Sequence, residues 1–166
     1  MKEILLSQGR VALVDDDMFE YLNQWKWYCN NGGYATRNST GLHRTIIRMH
    51  REIMNTPNGM ETDHINGNSL DNRKENLRVC THSENMHNRK VRTHISSGYK
   101  GVHWHRHNKK WEAYIRIHSK RIFLGYFSDP AEAAHAYDKA AKNLFGEFAR
   151  PNFPEGVTAQ LVRPTY

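Results

Sequence analysis

Cysteine is scarce in this chain: Cys29 and Cys80 are the only two in 166 residues, and no C-x-x-C occurs. That pattern offers neither a disulfide framework nor a cysteine clamp for zinc, and it fits a reducing compartment. Long apolar runs are missing too. Lys2 and Glu3 precede only a short apolar run, and nothing approaches the eighteen apolar residues of a membrane span. A soluble intracellular protein with no membrane partner is therefore expected. There is no internal repeat, low-complexity tract or heptad pattern, and no protein partner is evident.

What is present is basic charge. A chain of 166 residues holds one or two domains, enough for two small cores. Its formal charge is +7 and its pI about 9.5, which points to a polyanionic partner. The excess of Lys and Arg over Asp and Glu is zero across residues 1–62, +2 across 63–96 and +5 across 97–166. The basic surplus is thus concentrated in the C-terminal part.

The densest chemistry lies in residues 61–90, ETDHINGNSLDNRKENLRVCTHSENMHNRK. Asp63 and His64 are adjacent, Asn76 follows the histidine by twelve positions, and Asn85 follows Asn76 by nine. Phosphodiester hydrolysis needs a divalent ion to neutralise charge and a base to deprotonate water. Carboxylate and amide oxygens suit Mg²⁺ or Mn²⁺, so the set looks like a one-metal nuclease site. Asn-Gly and Gly-Asn turns after Ile65 predict a chain reversal, Leu77–Cys80 a returning strand, and the residues from His82 a helix. Thr81 with Glu84 forms a capping box, which places Asn85 one turn into that helix, able to face the hairpin carrying Asp63.

These residues resemble the HNH endonucleases, in the homing-endonuclease branch whose last histidine is replaced by asparagine. The run DNRKENLR and the later EN fit as well. The resemblance implies a ββα-metal motif with His64 as general base and Asn76 bracing the loop behind it. It further implies that Asp63 and Asn85 hold one divalent cation, Mg²⁺ or Mn²⁺, with no zinc. His50, in RMHRE, stands outside this set; a phosphate contact and a structural hydrogen bond at a helix start are both open for it.

Upstream, EILL, RVALVD, GYATR and TIIRMHREIM read as short strands, with helical turns through DDMFEYLNQWKW and MHREIM. Trp25, Trp27 and Tyr28 are expected to pack against the nuclease hairpin. Asp15, Asp16 and Asp17 are expected to cap a helix rather than bind metal.

Downstream, KVRTHISS carries Lys90, Arg92 and His94 and no acid, and reads as a basic linker following a DNA backbone. GVHWH, WEAYIRIH and KRIFLGYF read as three strands, followed by a helix from Asp129-Pro130 to Gly146. In the middle strand Trp111, Ala113, Ile115 and Ile117 share one face and Glu112, Tyr114, Arg116 and His118 the other. The helix presents Ala133, Ala134, Tyr137, Ala140, Ala141 and Leu144 as its apolar stripe.

YKGV, Lys110-Trp111, Ile115-Arg116, RIFLGYF, EAAHAYDKAA and the closing NFP resemble the plant ethylene-response-factor (apetala-type) DNA-binding domain, also found fused to phage-type HNH nucleases. There the sheet lies in the major groove. By residue matching the expected contacts are Lys100, His103, His105, Lys110, Arg116, Arg121 and Phe123. His103 and His105 stand where the plant domains have arginines, and Phe123 where they have tryptophan, so the target sequence does not carry over.

The expectation is an α+β protein: nuclease domain at 1–89, basic linker at 90–97, sheet-plus-helix DNA-binding domain at 98–154, and a tail at 155–166. Its function is read as a metal-dependent endonuclease, a nicking or homing enzyme acting on double-stranded DNA in the cytoplasm of a bacterial or phage-infected cell. The alternative is a non-catalytic, sequence-specific DNA-binding regulator.

Overall fold

The computed structural model describes residues 1–7, 9–40, 43–89 and 96–154. The chain separates into two compact units, Met1–Met86 and His87–Tyr166. Of the expected linker only Ser96 and Ser97 are among the described residues, and the expected tail lies outside them.

In the first unit, alternation in KEIL and VALV builds an antiparallel hairpin of β1 (Lys2–Leu5) and β2 (Val11–Val14), with Ile4, Ala12 and Val14 turned inward. Helix α1 (Asp16–Asn23) follows and buries Leu22. Strands β3 (Tyr28–Cys29), β4 (Ala35–Asn38) and β5 (Ile46–Arg48) form a second antiparallel sheet in that order, and α2 (Met49–Ile53) leaves β5 directly.

Trp27 is the largest side chain of the core these elements share with Ile4, Leu6, Val14, Leu22 and Met49, and its indole N–H donates to the Leu22 carbonyl at 2.8 Å. Truncating a tryptophan in such a place costs about 3–5 kcal/mol. Trp25 and Trp27 also carry the Arg37 guanidinium, 4.3 and 5.4 Å from the two rings, while Arg37 pairs with Glu52 at 2.8 Å. The aromatic cluster thus serves a core formed by the first fifty-odd residues and not the nuclease hairpin, from which only Leu70 packs against it.

The hairpin consists of β6 (Glu61–His64) and β7 (Leu77–Cys80), followed by α3 (His82–His87). The capping box forms: Thr81 N–H donates to Glu84 Oε2 at 2.7 Å and Glu84 N–H to Thr81 Oγ1 at 3.3 Å. The long connection between the strands is tied down. Leu13 N–H donates to the Leu70 carbonyl and Asn72 N–H to the Leu13 carbonyl, both at 2.8 Å. Asp15, although at the N-cap of α1, makes no capping bond; its carboxylate accepts from Lys74 N–H, while Asp17 pairs with Lys74 Nζ. The acidic turn therefore anchors the hairpin loop instead of capping its own helix.

The second unit is an antiparallel sheet ordered β10-β9-β8, built from β8 (Val102–His105), β9 (Lys110–Ile117) and β10 (Lys120–Phe127), and packed on α4 (Pro130–Phe145). Asp129 caps α4 by accepting from Ala131 N–H at 2.6 Å, with Pro130 in the first turn. Ala133, Ala134, Tyr137 and Ala141 are buried against Val102, Ala113 and Ile115, whereas Leu144 is 44 % exposed and lies off the stripe. Small residues bring α4 so close that Gly101, at φ +77°, has no room for a Cβ: one would sit 2.0 Å from Tyr137 Cδ2.

Candidate functional site

The hairpin connection holds His64 from behind. Asn72, fully buried, donates from Nδ2 to the Leu70 carbonyl at 3.2 Å, which orients its amide so that Oδ1 faces His64 Nε2, also at 3.2 Å. An acceptor at that position places the imidazole proton on Nε2 and makes Nδ1 the basic nitrogen. Burial depresses the His64 pKa, partly offset by the Asn72 bond, and the ring is 5 % exposed. Asn76 spans the same loop: its Oδ1 accepts from Asn66 N–H at 3.0 Å and its Nδ2 donates to the Asp71 carbonyl at 2.7 Å. Asn72 lies inside the run DNRKENLR but has no assigned role at the sequence level; its sequence signal is a polar residue that must be buried beside the motif histidine.

Asp63 faces away from His64 by strand alternation. It is 6 % exposed and paired with Arg78, its cross-strand partner, at 2.7 Å. Glu61 shares the Asp63 side of β6, and Asn85 reaches this side from α3, donating from Nδ2 to Glu61 Oε2 at 2.5 Å. His82 Nδ1 lies 2.8 Å from the other Glu61 oxygen. The Asn85 bond, then the His82 contact, hold the Glu61 carboxyl below its ordinary pKa. Glu61, absent from the sequence-derived set, is thus the acid that the α3 asparagine meets.

A recess of about 650 Å³ opens here, lined among others by Tyr34, Arg48, His50, Arg51, Glu61 and Asn85. His64 sits one ring deeper, its centroid 5.0 Å from that of His50 in an edge-on contact. His50 is buried, its Nδ1 has no hydrogen-bond partner among the described residues, and burial pushes its pKa down to about 3. A neutral imidazole with an unsatisfied nitrogen therefore forms part of the wall.

The donor chemistry fits a hard divalent ion: carboxylates from Glu61 and Asp63 with the amide oxygen of Asn85. Among the described residues no three His, Cys, Asp or Glu side chains cluster to hold a metal, so an ion here also needs the amide and water.

The outward face of the C-terminal sheet is the second candidate surface. Pairing places His103 opposite Glu112, His105 opposite Lys110, Arg121 opposite Arg116 and Phe123 opposite Tyr114. Lys100 is placed differently. Its ammonium donates to the backbone carbonyls of His87 and Arg89, at 2.6 and 3.2 Å, and burial pushes its pKa down to about 8. It ties the start of this unit together instead of joining the sheet face.

Comparison with known proteins bears on both surfaces. The family model described as HNH endonuclease matches residues 40–87, which contain β5, α2, the hairpin and α3. An uncharacterized HNH endonuclease of Acanthamoeba polyphaga mimivirus is 32 % identical over 149 residues, covering 88 % of this chain and 76 % of that protein. The chain belongs to the HNH endonucleases. Protein 3.8 of Escherichia phage T7 is 31 % identical over 94 residues, covering 57 % of this HNH endonuclease and 77 % of that protein. The AP2 domain model matches residues 97–147, so the endonuclease carries an AP2 domain on its C-terminal side. Dehydration-responsive element-binding protein 2E of Arabidopsis thaliana is 48 % identical over 56 residues, 28 % of this chain and 23 % of the plant protein. No solved structure matches. DNA is accordingly the partner of this HNH endonuclease, and the non-catalytic alternative is set aside. HNH nucleases generally use a divalent metal. Among the described residues no helix is long and apolar enough to cross a membrane.

Proposed function

We propose that this HNH endonuclease is a metal-dependent, site-directed enzyme that hydrolyses one strand of double-stranded DNA, with His64 as general base. The carrying observation is the Asn72–His64 bond, which holds the imidazole in one tautomer with Nδ1 basic. Asp63 and Asn85, with Glu61 beside them, would hold a divalent ion, Mg²⁺ or Mn²⁺, which when bound would neutralise charge on the phosphate and leaving oxygen. His64 Nδ1 takes a proton from water, the water oxygen bonds to phosphorus, and the bond from phosphorus to the 3′-oxygen breaks. The products are a 5′-phosphate and, after protonation by solvent, a 3′-hydroxyl. The guanidinium of Arg48 at the recess holds phosphate oxygens, His50 forms part of the wall beside it, and Asn76 keeps the loop behind the base.

The sequence is read elsewhere, by the domain at 98–154, through His103, His105, Lys110, Arg116, Arg121 and Phe123. Residues 90–97 supply a basic link to it.

Incubating supercoiled plasmid with the protein and Mg²⁺ tests the chemistry. Cleavage is expected, and His64→Ala is expected to slow it about 10²- to 10⁴-fold with DNA affinity nearly unchanged. Equal loss of binding and rate would sink the assignment of the base. Chelation by EDTA should stop the reaction, and Mn²⁺ should restore it.

A further inference from the structure

The outward face of the C-terminal sheet is basic at its edges but aromatic in its middle. His103 stacks on Tyr114, with centroids 5.0 Å apart, and Arg121 covers the Tyr114 ring at 3.9 Å. Arg121 is also paired with Glu112 at 2.7 Å, so one of the two guanidiniums on this face is already committed to partners within the sheet. Arg116 is exposed, and lies 5.6 Å from the same ring. Beyond them Phe123 is 53 % exposed and Tyr126 39 % exposed, with ring centroids 4.9 Å apart, and His105 meets Tyr126 edge-on at 5.1 Å.

Tyr126 reaches this face because the pairing slips between Phe123 and Gly125. Without the slip, alternation would send Tyr126 inward and Phe127 outward; with it, Tyr126 lies opposite Glu112 and Phe127 opposite the core residue Trp111. The bulge therefore assembles an exposed aromatic pair that neither strand phase alone provides.

Two large rings left in water on a basic face mark a recognition surface. The charge of residues 97–166, +5, selects a polyanion for it. On the major-groove edges of duplex DNA the apolar feature is the C5-methyl group of thymine, and an aromatic side chain is a good partner for it. We infer that Phe123 and Tyr126 form a thymine-methyl reader, so that the recognised site contains at least one A·T pair specified through its methyl group, with Arg116 beside it available for guanine or phosphate. This rests on the proposed reading of the sheet as the part that recognises duplex sequence.

The test uses the full chain without divalent ions. Duplexes are selected from a randomised pool, each thymine of the selected site is replaced in turn by uracil, and Kd is measured. Uracil keeps every hydrogen-bonding group and lacks only the methyl. At one or two positions it should weaken binding about fourfold, the worth of one buried methyl group. Phe123→Ala should bind thymine and uracil duplexes alike, and Phe123→Leu should keep part of the preference, which a merely structural role would not produce. A selected site whose thymine and uracil forms bind equally well overturns the inference alone and points to a protein partner for the aromatic pair. A chain that enriches no duplex sequence overturns both the inference and the reading of the sheet beneath it.

Discussion

An unmade hydrogen bond inside a protein costs about 1–3 kcal/mol, and His50 carries one at Nδ1. Folding alone gives no reason to keep it. Replacing His50 by phenylalanine preserves the ring packing against Tyr34 and His64 and removes the unsatisfied nitrogen. The expected result is a thermal midpoint equal to or above the parent's, with cleavage of plasmid reduced at least tenfold; full activity in that variant would remove His50 from the site. Asn72 makes the opposite trade. Asn72→Ala leaves His64 Nε2 without its acceptor, so the base can take the wrong tautomer, and the loss expected for such a positioning residue is about tenfold to a hundredfold in kcat with KM little changed. A dominant effect on KM would mean that Asn72 works through the shape of the DNA-binding surface instead.

At the scale of elements, two short pieces of backbone decide whether each unit works. Helix α3 has only six residues, too few to hold itself in water, and depends on the Thr81–Glu84 box. Thr81→Ala should cost about 1 kcal/mol and, by loosening the element that carries Asn85, raise the Mg²⁺ concentration needed for half-maximal cleavage. An unchanged metal titration would disconnect α3 from the ion. In the C-terminal unit Gly101 sits at positive φ with Tyr137 against its missing Cβ and the Tyr114 carbonyl 2.8 Å from that position. Gly101→Ala should destabilise this unit by more than about 2 kcal/mol, read by denaturant unfolding. The sequence motif YKGV marks the glycine, but only the depth at which α4 seats on the sheet explains why nothing larger fits.

For the molecule as a whole, chemistry and charge are divided. Most of the basic surplus lies beyond residue 97, so removing residues 97–166 should leave weak cleavage with no site preference. A truncated enzyme that still chose its site would refute that division. On the proposed reading, one Asp63-His64 pair per chain hydrolyses one phosphodiester per visit, and two unlike modules in one chain meet DNA in one polarity. A strand-specific nick is therefore expected, with supercoiled plasmid passing to open circles before any linear form appears. Linear product from the earliest times, at a rate rising with the square of protein concentration, would show a dimer cutting both strands.

Local rules were enough for many of the elements, although the helix expected through DDMFEYLNQWKW stops at Asn23 and Tyr28–Cys29 forms a strand. Period-two alternation marked β8, β9 and β10, Asp129-Pro130 marked the start of α4, and Thr81 with Glu84 marked that of α3. Each of those signals acts within a few residues, so the sequence carries it whole. Other features depend on segments far apart in the chain. The Asp15–Lys74 tie, the core position of Trp27, the acid that Asn85 meets and the inward turn of Lys100 follow from which surfaces are brought together. The phase of β10 belongs with them: a one-residue slip reverses every side chain after it, and whether a strand slips is settled by its partner and by the helix packed behind it. The resemblance to the plant domain named Phe123 as a contact, and tertiary packing added Tyr126 beside it.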